Sequence, residues 1–83
     1  MTEQEIYEKL NALFRSFLNN PNIALTPQTI ATDIPGWDSI THVQIILKVE
    51  ELFGIRFKHA EIATFENVGD LVAAVLRRKG AAA

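Results

Sequence analysis

Cysteine is absent from this chain of 83 residues, and so are long apolar segments and any strong excess of charge. Without cysteine there is no disulfide, no thiolate catalysis and none of the usual structural zinc sites. No apolar run approaches the roughly 18 residues that span a bilayer. The beginning, MTEQE, is polar and acidic rather than signal-like. The lack of cysteine is compatible with any compartment, whereas the lack of a membrane span and of a signal-like start gives a cytoplasmic location by default, with no membrane as partner.

The charges nearly balance, with 8 Lys and Arg against 10 Asp and Glu and a formal net charge of -2. This disfavours binding to nucleic acid, which needs a basic surface. A hydrophobic content of 48% with 22% charged residues is typical of a folded globular domain. We expect a single monomeric domain over residues 1–80. The alanines at 81–83 would then be a disordered, frayed tail or a remnant of cloning.

A first helix is predicted near the start of the chain. Thr2 and Glu5 have the spacing of a capping box. Apolar residues then recur at helical intervals up to about Asn19, namely Ile6, Leu10, Leu13, Phe14, Phe17 and Leu18. Residues 19–37 contain all three prolines and keep no period, which predicts a long loop.

Three further helices are predicted after this loop. Residues 39–53 contain neither Gly nor Pro, and Gly54 ends the second helix. The stretch HAEIA at 59–63 allows only a short third helix, and Asn67 caps a last helix that stops at Gly80. No strand alternation is sustained. The predicted class is all-α, a four-helix bundle with three main helices, a short third helix, and a long loop between helices one and two.

The second helix is apolar on two opposite sides at about 100° per residue. One arc is expected to face the core and consists of Ile45, Ile46, Val49, Leu52 and Phe53. The other side carries what we call the recognition stripe: Ile40, Val43, Gln44, Leu47 and Glu51. A surface helix needs only one apolar side. The stripe is therefore either covered by the long loop or exposed for a partner, and we favour the partner.

Asp38 and Ser39 begin the second helix, and the residue types allow two interpretations. Asp and Ser are both favoured at helix starts, where their oxygens accept hydrogen bonds from free N–H groups. The start of a helix also carries partial positive charge, which favours a phosphate attached to a hydroxyl. Ser39 is thus either a capping residue or the site of a phosphate or phosphodiester group.

The stretch GWDSITHVQIILKVEELFGIRF resembles the phosphopantetheine attachment region of acyl carrier proteins, in which D-S-L opens the second helix and an E-E-x-F ending closes it. The similarity covers nearly the whole chain, including TFENVGDL at the start of the last helix. It implies a non-catalytic carrier. In such a carrier Ser39 accepts 4′-phosphopantetheine from coenzyme A through a separate Mg²⁺-dependent phosphopantetheinyl transferase, and the arm's thiol holds acyl groups as thioesters.

The resemblance also implies roles for other residues. Asp38 matches the family's aspartate that helps to hold the metal of the transferase, and a carboxylate oxygen suits Mg²⁺. The recognition stripe matches positions read by partner enzymes that load, condense or transfer acyl groups. An acyl pocket between the second and third helices would be lined by Ile46, Phe57 and Ile62.

Departures from the family bear on the pathway. Fatty acid carriers have a strongly acidic second helix, whereas Thr41 and Gln44 are uncharged here and Lys48 is a cation. We therefore favour a specialised acyl or polyketide-type pathway, with fatty acid synthesis as an alternative. Peptidyl carriers usually show G-G-x-S, and Trp37 replaces the second glycine, so an aminoacyl load is less favoured. An unmodified helical adaptor that binds partners through the stripe is the alternative of another class.

His42 lies one turn after Ser39, which raises the possibility of a serine hydrolase. The G-x-S-x-G elbow is absent, and the helical angle directs His42 towards the core side. His42 and His59 form no recognised metal spacing with Asp33 or Asp38, so no metal site is predicted and both histidines are expected to be structural. Trp37 is expected to anchor the loop on the helix that follows.

Overall fold

The computed structural model describes residues 2–79. Its helical segments are α1 (Glu3–Phe17), a short 3-10 turn (Ala31–Asp33), α2 (Ser39–Phe53), α3 (His59–Ile62) and α4 (Val68–Lys79). No strand occurs over this range. The all-α prediction, the short third helix and the long first loop are confirmed. The expected stop at Gly80 and the tail at 81–83 lie outside the described residues, within which no helix is both long and apolar enough to cross a bilayer.

The ends of α1 follow from short-range hydrogen bonds. The Thr2 hydroxyl accepts from the Glu5 N–H at 3.2 Å, and the Glu5 carboxylate accepts from the Thr2 N–H at 3.1 Å, which completes the predicted capping box. Asn19 has a φ of 52°, and the N–H of Asn20 donates to the carbonyl of Arg15 at 2.9 Å. This left-handed turn is a Schellman end. It stops α1 at Phe17, two residues before the predicted limit.

The core is built by three helices and by the long loop. The fully buried side chains include Ile6, Leu10 and Phe14 of α1, Ile45 and Val49 of α2, and Val68 and Val75 of α4. The loop adds four buried apolar side chains, those of Ile23, Leu25, Ile34 and Trp37. Because these loop residues are buried in the common core, the loop does not cover the opposite side of α2.

For one residue of the predicted core arc of α2, Leu52, the prediction of burial is wrong. Leu52 is 41% exposed, whereas its neighbour Phe53 is 2% exposed. At about 100° per residue, Leu52 lies at the edge of the arc centred on Val49. A helical wheel gives direction around the axis but not how far the neighbouring elements reach, so this edge position could not be assigned from the sequence.

The long loop is fixed to the first turn of α4 by backbone hydrogen bonds. The N–H of Val68 donates to the carbonyl of Thr29 at 2.8 Å, and the N–H of Gly69 donates to the carbonyl of Pro27 at 3.0 Å. The predicted Asn67 cap accepts from the next N–H, that of Asp70, at 2.9 Å. The loop therefore satisfies N–H groups that every helix start leaves free.

Gly69 allows this close approach, and its replacement is the first test of the fold. A Cβ at this position would lie 2.9 Å from the Pro27 carbonyl oxygen, which belongs to the backbone and cannot easily move. We expect Gly69→Ala to lower the free energy of unfolding by about 1 to 3 kcal/mol, the usual cost of overpacking, although alanine is the better helix former.

Urea unfolding followed by circular dichroism measures this change. The control is Ala73→Gly at an exposed position of the same helix, which should lower stability by about 1 kcal/mol through helix propensity alone. If Gly69→Ala instead raises stability by a similar amount, the loop does not approach α4 as described.

Candidate functional site

Asp38 caps α2. Its backbone is extended, and its Oδ1 atom accepts hydrogen bonds from the N–H groups of Ile40 and Thr41, each at 2.9 Å. These bonds, that from Thr41 first, hold the pKa of the Asp38 carboxyl below its usual range. The Thr41 hydroxyl accepts from the Asp38 N–H at 2.8 Å and donates to the Gly36 carbonyl at 2.7 Å. The end of the loop and the first turn of α2 are thus joined through one threonine.

Ser39 is the first residue of α2, and its side chain is exposed. Its hydroxyl makes no hydrogen bond with any residue between 2 and 79. Capping therefore falls to Asp38, and the interpretation of Ser39 as a cap is wrong. A free hydroxyl stands beside the positive end of a helix of 15 residues.

Trp37 anchors the loop, as predicted. Its ring and that of Phe14 pack edge to face with centroids 4.9 Å apart, and it lies nearly parallel to the His42 ring, with centroids 5.9 Å apart. The indole N–H donates to Nδ1 of His42 at 3.1 Å. Because an indole nitrogen can only donate, Nδ1 must accept, and the proton of the neutral imidazole is assigned to Nε2.

The two histidines differ in their surroundings. His42 is half-buried and structural, as expected, and its Nδ1 atom accepts from Trp37 and not from Ser39. His59 is exposed and makes no side-chain hydrogen bond within residues 2–79, so its expected structural role is wrong. Over the same residues, no three His, Asp or Glu side chains come together in a way that could hold a metal ion.

The recognition stripe is open to solvent. The exposed fractions are 73% for Ile40, 59% for Val43 and 58% for Leu47, and Gln44 and Glu51 are also exposed. This confirms the exposure deduced from the helical angle, and it shows that the loop does not cover the stripe. That partners bind here stays a prediction. Such a row of large apolar side chains on one helix face is typical of a binding surface.

The three residues of the predicted acyl pocket lie along one groove. Ile46 of α2, Phe57 of the following segment and Ile62 of α3 line an open depression of about 480 Å³, which Val43 and Leu47 also line. Its function as a pocket stays a prediction. The groove also has polar walls that sequence reasoning did not find, formed by His42, Glu50, Arg56 and His59.

A sequence signal existed for two of these four residues. His42 and Glu50 lie four positions before and after Ile46 on the same helix, the spacing at which side chains are neighbours. Arg56 and His59 have no such signal, because their positions depend on how the chain turns after Gly54. The Glu50 carboxylate accepts from the Phe57 N–H at 2.7 Å and so holds this turn against α2.

Comparison with known proteins agrees with this geometry. The family model described as "Phosphopantetheine attachment site" matches residues 8–75. "Acyl carrier protein 2" of Ralstonia nicotianae is 32% identical over 75 residues, which are 90% of this chain and 93% of that protein. "Acyl carrier protein MbtL" of Mycolicibacterium paratuberculosis is 30% identical over 73 residues, which are 88% of this chain and 82% of that protein.

A solved structure is similar as well. The solution NMR structure of a holo acyl carrier protein from Geobacter metallireducens superimposes with a TM-score of 0.82 and 35% identity, over 93% of this chain and 87% of that one. The chain thus belongs to the acyl carrier protein family and is a carrier of covalently attached 4′-phosphopantetheine. An exposed hydroxyl at a helix start, with a groove on the same helix, is compatible with this group.

The Trp37–His42 contact predicts how stability depends on pH. Burial lowers the pKa of His42 below its ordinary value of 6.5, since the folded protein favours the neutral ring. The full stabilisation is therefore present above pH 6.5 and is lost as the pH falls through the lower folded pKa. We expect the melting temperature to fall as the pH is lowered below 6.5.

The variant His42→Gln should flatten this slope, and the exposed His59→Gln is its matched control. The carboxyl groups of Glu5, Asp38 and Glu61 affect the melting temperature only at lower pH, because their pKa values are all lowered in the fold. Differential scanning calorimetry at several pH values measures the effect. A slope that persists in His42→Gln would contradict the assignment.

Proposed function

We propose that Ser39 is the residue that carries the 4′-phosphopantetheine, and that the chain presents acyl groups to enzymes of a specialised acyl or polyketide-type pathway. When bound, the group supplies a terminal thiol that holds an acyl group as a thioester. The proposal depends mainly on one observation, the exposed and unbonded Ser39 hydroxyl at the start of α2. A phosphodiester at this position is favoured by the partial positive charge of the helix start.

Asp38 is suited to meet the metal ion of a phosphopantetheinyl transferase. Both amide bonds of the cap go to its Oδ1 atom, whereas Oδ2 accepts no hydrogen bond from residues 2–79. The carboxylate is therefore held in one orientation by one oxygen and offers the other to solvent. A hard, charged oxygen beside the reacting serine is the kind of ligand that Mg²⁺ takes from a protein.

The choice of pathway follows from the charges of α2. Beside the stripe, α2 has two carboxylates, those of Glu50 and Glu51, and one cation, Lys48, whose ammonium lies 5.6 Å from the Phe17 ring centre. Because Lys48 offsets one of the two carboxylates, the negative charge of the helix is small and long-range attraction of basic partners is weak. Recognition then depends on the apolar side chains, which suits dedicated partner enzymes. Fatty acid synthesis and aminoacyl cargo remain the alternatives.

The remaining parts of the proposal follow from this carrier role. We propose that the chain has no catalytic activity of its own and acts as a monomer in the cytoplasm. Its partners are a phosphopantetheinyl transferase and enzymes that load, condense or transfer acyl groups. No His, Asp or Glu forms a hydrogen bond with the Ser39 hydroxyl among the described residues, which supports a carrier over a hydrolase.

The attachment residue can be tested by intact mass spectrometry. On incubation with coenzyme A, Mg²⁺ and a promiscuous transferase, the protein should gain the mass of one phosphopantetheine group, and Ser39→Ala should gain none. The adaptor alternative expects instead that unmodified Ser39→Ala keeps full binding and function with its partners. Mass added to Ser39→Ala, or no mass added to the wild type, would refute the assignment of Ser39.

The recognition stripe can be separated from the core by a pair of truncations. We expect Leu47→Ala to change the free energy of unfolding by no more than about 0.5 kcal/mol, because its side chain is exposed. Modification by the transferase and acyl loading should nevertheless slow. The control is Ile45→Ala on the buried face of the same helix, which should cost about 2 to 5 kcal/mol in stability.

The two readouts are urea unfolding and the rate of mass gain, both measured well below the melting temperature. Ile45→Ala should be modified at close to the wild-type rate while it is folded. If Leu47→Ala is modified as fast as the wild type, the transferase does not recognise this part of α2.

A further inference from the structure

The wall of the groove opposite α2 is formed in part by α3, which has only four residues. A helix of one turn is not stable by itself, because the cost of nucleation is not recovered. Its position therefore depends on contacts with the rest of the domain. Apolar contacts are made by the half-buried Ile62 and, on the segments either side of α3, by Phe57 and Phe65, whose rings meet edge to face at 5.3 Å.

A second set of contacts ties α3 to the end of α4 through Glu61. Its Oε2 accepts from the Arg77 guanidinium at 3.3 Å, and its Oε1 accepts from the guanidinium of Arg78. Oε1 also accepts a hydrogen bond of 3.4 Å from the N–H of Lys58, the residue at the start of α3. One carboxylate thus caps α3 and joins it to two cations of another helix. We name Glu61, Arg77 and Arg78 the α3 latch.

The latch is unusual within this molecule. Of the charged side chains in the described part of the chain, only these three form ion pairs. Cations are favoured at the end of any helix by the dipole, which explains arginines in the last turn of α4. The dipole does not explain why both converge on one carboxylate sixteen and seventeen positions earlier in the chain. The hydrogen bonds from Arg78 and Arg77 also lower the pKa of Glu61.

The latch and the groove lie on different sides of the same turn. Glu61 is directed to α4, whereas the next residue, Ile62, lines the groove together with His59. Adjacent helical residues differ by about 100° in direction, so a movement of Glu61 away from α4 also displaces Ile62. The side chains are partly exposed, 17% for Glu61, and such ion pairs are weak and screened by salt.

We propose that the α3 latch sets the size of the acyl groove. With the latch closed, α3 stays near α2 and the groove shelters short acyl groups; when it opens, α3 moves away and the groove takes long acyl chains. Glu61 is then a positioning residue that decides which cargo is protected from solvent. This inference rests on the proposed attachment of the arm at Ser39, since only a tethered acyl chain reaches the groove.

The latch itself can be tested without any modification of Ser39. The N–H groups of Ile62 and Ala63 are bonded within this turn, to the carbonyls of Lys58 and His59. Hydrogen exchange at these amides should become several-fold faster in Glu61→Gln, and in the wild type at high salt. The double variant Arg77→Gln with Arg78→Gln should give the same change, and combining all three substitutions should add little. The control is Glu8→Gln on the exposed face of α1.

The effect on cargo is tested with the holo-protein loaded with butyryl or myristoyl groups. The rate at which hydroxylamine cleaves each thioester measures how well the chain is sheltered. We expect Glu61→Gln to slow cleavage of the myristoyl group relative to the butyryl group several-fold, and Glu8→Gln to leave this ratio unchanged. A merely structural role would alter the melting temperature but not the ratio.

Each result has a separate meaning. Unchanged exchange at Ile62 and Ala63 in Glu61→Gln overturns the latch, whether or not Ser39 is modified. Faster exchange with an unchanged cleavage ratio overturns the control of groove size. Failure of Ser39 to accept the arm overturns the proposed function and, with it, the role of the latch in sheltering cargo.

Discussion

The arrangement of the site depends on one hydrogen-bonded group, the Asp38 carboxylate at the start of α2. By accepting the N–H groups of Ile40 and Thr41 with a single oxygen, it removes the need for Ser39 to cap the helix. A serine at the cap position would have its oxygen bonded to the backbone and held against it. One step further along the chain, the hydroxyl is instead free and faces solvent, while the helix behind it keeps its positive end.

The rest of α2 has one buried and one exposed side. Its buried side packs with α1, α4 and the long loop, and the loop is fixed to α4 by backbone bonds that Gly69 permits. Its exposed side keeps Ile40 next to the proposed attachment residue, and Val43 and Leu47 of the same side also line the groove. A partner that covers the stripe therefore also touches the place where the cargo would lie. The proposed partner surface and the proposed acyl groove thus share the side chains of Val43 and Leu47.

Much of the fold could be predicted because it depends on local patterns. The Asp38 cap and Gly54 in the left-handed conformation determine the two ends of α2, and no Gly or Pro interrupts residues 39–53. The Thr2–Glu5 box and the Asn67 cap are equally local, and the buried and exposed sides follow from helical periodicity except at Leu52. The long-range contacts were not predictable. The carbonyls of Pro27 and Thr29 are chemically like every other carbonyl, and nothing in the sequence of α3 indicates that Glu61 meets Arg77 and Arg78.

The chain has one tryptophan, and it lies at the junction that holds the proposed attachment residue in place. Trp37 is packed on Phe14 of α1, bonded to His42 of α2, and two positions before Ser39. All of the indole fluorescence of the protein therefore originates from this one junction. Any event that shifts the loop against α2, such as transferase binding or protonation of the neighbouring imidazole, changes that emission directly. The fluorescence of Trp37 can therefore be used to follow the state of the site without any added label.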